Sequence, residues 1–108
     1  AIKNLKTNKF KPMAGGDWKE MMYAAEKGDV ELLKYHIRMG IDPNYQHPEE
    51  LTTPLIEAAR QGQYESVKYL LENGADPKIK SVWGDETALS VAKVHKHKEI
   101  VKLLKSHL

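Results

Sequence analysis

An all-α solenoid of three helix–turn–helix units is the fold class this sequence predicts, and three observations predict it. Ala24, Ala58 and Ala92 recur at a spacing of 34 residues. The phrase Gly40-Ile41-Asp42-Pro43 returns as Gly74-Ala75-Asp76-Pro77. Between Thr53 and Pro77, two short helical stretches stand back to back, each followed by a glycine. A fixed period of this size marks stacked units, each too small to bury its apolar face alone. The units cover about residues 17–50, 51–84 and 85–108, behind a segment at residues 1–16.

Taken in order, residues 1–16 hold Lys3, Lys6, Lys9 and Lys11 with no acid, and Pro12 and Gly15-Gly16 read as a linker or turn. Ile2, Leu5 and Phe10 form a weak apolar set, so the segment is expected to be a basic arm or a cap on the first unit. In unit one, Met21, Ala24 and Ala25, then Val30, Leu33 and Ile37, follow the spacing of an apolar helical stripe. They place helices near Trp18–Lys27 and Val30–Met39. His36 aligns with Leu70 and Leu104, which predicts a buried, hydrogen-bonded histidine rather than a ligand.

Unit two is the clearest. Thr53 is a good N-cap, Pro54 suits a first helical turn, and Gly62 can close the helix in the left-handed conformation. A second helix follows from about Tyr64 to Glu72, and Asp76-Pro77 stops any continuation. Leu55, Ala58, Ala59, Val67, Leu70 and Leu71 are expected to be the best-buried residues of the protein. In unit three the apolar set is Leu89, Val91, Ala92, Ile100, Val101, Leu103 and Leu104.

Thr53-Pro54-Leu55, Ala58-Ala59, Gly62, Leu70-Leu71 and Gly74-Ala75-Asp76 together resemble the ankyrin-repeat family, over about Asp17 to Leu108. The tetratricopeptide pattern, which shares the period, is not seen at matching offsets. The resemblance implies two antiparallel helices per unit and projecting β-turn fingers, here Gly40 to Leu51 and Lys78 to Glu86. Each unit is one residue longer than the common ankyrin period, so the fingers are expected to be slightly enlarged. The terminal units depart from the pattern. Unit one has Lys19-Glu20-Met21 where unit two has Thr53-Pro54-Leu55. Unit three has Lys93 at an inner alanine position, Lys96 at a glycine position and Lys105 opposite Leu71. Polar outer faces are the expected capping solution for units with a neighbour on one side.

Charge is unevenly laid out. Residues 1–16 carry +4, residues 17–92 carry −6 and residues 93–108 carry +4. The chain has no cysteine, which excludes disulfides, thiol catalysis and Cys-based zinc sites and fits a cytoplasmic protein. No apolar run approaches the ~18–20 residues of a membrane span. No Gly-rich phosphate loop, nucleophile elbow or His-Glu-x-x-His motif is present, and Glu49-Glu50 reads as solvated charge rather than an acid–base pair. His95-Lys96-His97 has a metal-like spacing, but its lysines repel a cation and the other ligands are missing. Neither an enzyme, a cofactor nor a metal is therefore expected.

The resemblance implies a protein-binding module that works through finger tips and the concave face of the inner helices. Carried onto this chain, the contact positions are Trp18, Glu26, Lys27, Thr52, Arg60, Gln61, Trp83, Glu86, Val94 and His95. Tyr45, Glu49, Glu50 and Glu57 join them on position, with Glu57 expected on the inner face. Trp83 has two readings, a binding hot spot at an exposed tip or a residue packed on its own or the neighbouring finger. The partner is expected to be another protein and the chain a monomer. The competing reading is a nucleic-acid- or ribosome-associated accessory protein that uses the basic ends.

Overall fold

The computed structural model describes residues 17–48, 50–82 and 84–108. The arm expected at residues 1–16 and the contacts expected at Glu49 and Trp83 lie outside the described residues. The described residues hold three helix pairs: α1 (Asp17–Lys27) and α2 (Val30–Arg38), α3 (Pro54–Gln61) and α4 (Tyr64–Glu72), α5 (Ala88–Val94) and α6 (Lys98–Ser106). The inner helices α1, α3 and α5 pack on one another more extensively than the outer helices α2, α4 and α6 do.

Alanine makes the close inner approach possible. Ala24, Ala25, Ala58, Ala59 and Ala92 are fully buried between the helices. The three alanines of the 34-residue period also share a backbone role. The carbonyls of Ala24, Ala58 and Ala92 each accept a 2.9 Å bond, from the N–H of Asp29, Gln63 and His97 respectively. Each bond closes over a left-handed residue: Gly28 (φ 77°), Gly62 (φ 76°) and Lys96 (φ 59°). Helix starts follow the expected capping chemistry. Thr53 accepts from the Ile56 N–H behind Pro54, and Thr87 and Ser90 form a reciprocal capping box.

The residues after the left-handed position show how the units are tied together. Asp29 caps its own helix by accepting from the Leu32 N–H. Its counterparts Gln63 and His97 reach back to the preceding unit instead. Gln63 Nε2 donates to the Glu26 carbonyl at 3.0 Å, and His97 Nε2 donates to the Arg60 carbonyl at 3.1 Å. A Cβ at Gly28 would lie 2.5 Å from Gln63 Oε1, and one at Gly62 would lie 2.7 Å from the His97 ring. Glycine is needed there both for its φ and for this crossing side chain. Lys96, at the same place in the last described unit, is exposed.

The fingers are joined mainly by side-chain amides. Asn44 donates to the Gly74 carbonyl and accepts from the Asp76 N–H, at 2.9 and 2.8 Å. Gln46 donates to the Lys80 carbonyl at 3.1 Å, and the Val82 N–H donates to the Leu51 carbonyl at 3.2 Å. Each finger returns to its helix through a left-handed residue at the same place in the repeat, Leu51 and Asp85.

The expected core of unit two is buried throughout. In unit three, Leu89, Val101 and Leu103 are only half-buried, since no further described unit covers that side. Ile41 and Ala75 join the core without having been expected there. Each follows a helix-ending glycine, bonds back to His36 or Leu70 and tucks its side chain inward, as the residue after a left-handed cap does. His36 is buried as expected and donates from Nε2 to Glu20 at 2.7 Å.

Candidate partner-binding surface

Two adjoining clefts run across the inner side. The first, about 500 Å³, is lined by Trp18, Lys19, Glu20, Met22, Tyr23, Glu26 and Glu50. The second, about 210 Å³, is lined by Met22, Glu26, Glu50, Thr52, Glu57, Arg60, Ser81 and Glu86. Met22, Glu26 and Glu50 belong to both, so the two form one groove along α1 and α3 that reaches the second finger.

Arg60 organises the polar end. Its guanidinium donates to both carboxylate oxygens of Glu57, at 3.2 and 3.3 Å, and to both of Glu86, at 3.2 and 2.6 Å. Thr52 holds Glu57 from the other side, donating at 2.8 Å. Helix α3 places Glu57 and Arg60 one turn apart, and the second finger brings Glu86 to the same point. The hydrogen bond from Arg60 holds the Glu86 carboxyl below the ordinary range, and the same bond raises the proton affinity of Arg60. Glu26 moves the other way. Burial raises its carboxyl, reinforced by the charges of Glu57 and Glu50 and opposed by Lys27 and Arg60.

Of the positions expected from sequence, Glu26, Glu50, Thr52, Glu57, Arg60 and Glu86 gather in the polar cleft. Trp18 is buried, stacked on His47 at 4.0 Å with Tyr45 beside it at 6.3 Å, so both aromatics support the first finger. Thr52 is buried also and acts through Glu57. Lys27 and Gln61 are exposed at the ends of α1 and α3, and Val94 and His95 at the end of α5, away from the clefts. The lining residues Lys19, Glu20, Met22, Tyr23 and Ser81 were not among the expected positions. Met22 stands 34 residues before Ile56, so alignment of the units alone placed it on the inner helix face. No alternation or motif marked Ser81.

The family model for ankyrin repeats matches residues 21–107 in three copies. The chain belongs to the ankyrin-repeat family. No curated protein matches it in sequence. Ankyrin repeats are generally protein–protein interaction modules and typically non-enzymatic. The groove of this ankyrin protein lies on the inner-helix side. Among the described residues, no group of three or more His, Asp or Glu could hold a metal ion, and no helix is long and apolar enough to cross a membrane.

Proposed function

We propose that the protein binds a partner protein through the inner groove and the finger tips, as a monomer in the cytoplasm and without catalysis. One observation carries this reading: side chains from two inner helices and both fingers line adjoining clefts, and Thr52, Glu57, Arg60 and Glu86 among them are already held by hydrogen bonds. Such a preformed surface loses little freedom on binding, so its contacts count toward affinity. Trp83, Lys27, Gln61, Val94 and His95 extend the contact area in this reading.

Affinity capture from native cell extract tests it. The control bait carries Glu50→Lys, an exposed position that lines both clefts, with circular dichroism to verify its fold. A partner held by the parent and lost by the control supports the groove, whereas equal capture by both removes it. A Trp83→Ala bait tests the finger-tip position separately.

The exposed Lys93, Lys96 and Lys98 around Val101 favour a second reading, in which the basic end meets a nucleic acid or ribosomal surface. That reading expects the captured material to be nucleic acid or ribosomal protein and to leave at moderate salt.

A further inference from the structure

We propose that the groove selects a basic segment carrying one apolar side chain. The apolar residue seats against Met22, Tyr23 and the edge of Trp18, and its flanking Lys or Arg side chains meet Glu26 and Glu50. The inference rests on the partner-binding reading and narrows it to one chemistry.

The two parts of the groove differ in what they leave unsatisfied. At the polar end Arg60 is used up, with its donors committed to Glu57 and Glu86. Glu20 accepts from His36. Glu26 and Glu50 have no ion-pair partner among the described residues, and they are the two carboxylates shared by both clefts. Negative charge that no ion-pair contact neutralises, and that Lys27 and Arg60 offset only in part, therefore sits where the apolar cleft meets the polar one. The half-buried Glu26 holds its proton more tightly than usual, so a cation brought to it relieves a standing cost. An acidic segment would add to that cost. A purely polar basic segment would leave the apolar cleft beside Tyr23, which is 54% exposed, filled only by water. Both demands are met only by a cationic segment with an apolar anchor.

The test uses fluorescence anisotropy on the full chain with three labelled synthetic peptides. One sets lysines around a central phenylalanine in a serine background. The second replaces the phenylalanine with serine, and the third replaces the lysines with glutamates. The phenylalanine peptide is expected to bind severalfold tighter than the serine peptide, and the glutamate peptide is expected not to bind. Glu26→Gln with Glu50→Gln should weaken the first peptide about fivefold or more, the scale of two lost surface charge contacts. Glu65→Gln with Glu72→Gln, the same charge change on outer helix α4, should leave it within about twofold. The proposal is overturned if no peptide binds, if phenylalanine and serine peptides bind alike, or if both double variants weaken binding equally. Should the captured partner depend on the groove while the phenylalanine peptide fails to compete with it, partner binding stands and this chemistry falls.

Discussion

Ser66 is a small misfit in the core. It stands where the other units have Leu32 and Ile100, it is fully buried, and its hydroxyl finds no hydrogen-bond partner. A buried hydroxyl without a partner costs stability, and alanine is the better helix former. Ser66→Ala is expected to stabilise the protein by about 0.5–1 kcal/mol in denaturant unfolding. The two perturbed carboxyls of the groove predict opposite pH signatures. Glu26 is raised, so its ionisation costs stability that returns as the pH falls through its raised value and is fully restored below the ordinary carboxylate range. Glu86 is lowered, so its contribution is complete above that range and disappears as the pH falls through its depressed value. Thermal melts should show Glu26→Gln raising Tm at about pH 7 and changing it little at about pH 3, and Glu86→Gln lowering Tm at about pH 7 with a smaller deficit at about pH 3.

Helix closure depends on the residue at the left-handed position and on what crosses it. Gly62→Ala adds a Cβ to a φ of 76° and drives it toward the His97 ring. A loss of about 2 kcal/mol is expected from the backbone penalty and the displaced ring together. At Lys96 the opposite change should help, because the φ of 59° is unfavourable for a side chain. Lys96→Gly is expected to gain about 0.5–1 kcal/mol, the backbone relief less the extra entropy of an unfolded glycine. Equal effects of the two substitutions, measured by chemical denaturation, would show that left-handed closure is not what distinguishes them. The helix boundaries themselves were legible: Thr53-Pro54, Gly62 and Gly74 stand where α3 and α4 begin and end.

The molecule as a whole is a row of units joined by nearest-neighbour contacts, so its stability divides into unit terms and interface terms. Between units one and two, the polar part of that interface includes Asn44 across the fingers and Gln63 across the inner helices. Combining Asn44→Ala with Gln63→Ala should loosen unit one selectively. Native-state hydrogen exchange is expected to show the amides of α1 and α2 losing protection before those of α5 and α6. Uniform loss along the chain would mean that the stack unfolds as one unit despite the missing bridges.

The number of units, their helices, most of the buried stripe and the family were all readable along the chain. They depend on local rules: a repeated spacing, a cap, a proline, a glycine. The buried histidine was readable too, because alignment with Leu70 and Leu104 put His36 on an apolar face. What the sequence could not carry was which polar groups find one another. Arg60 and Glu86 are 26 residues apart and meet only because the second finger folds back over α3. Trp18 lines the first cleft, but that its ring is held largely beneath the first finger, with His47 and Tyr45 beside it, was not legible along the chain. Local rules fix each unit, but the groove is made between units, where distance in space and distance along the chain no longer correspond.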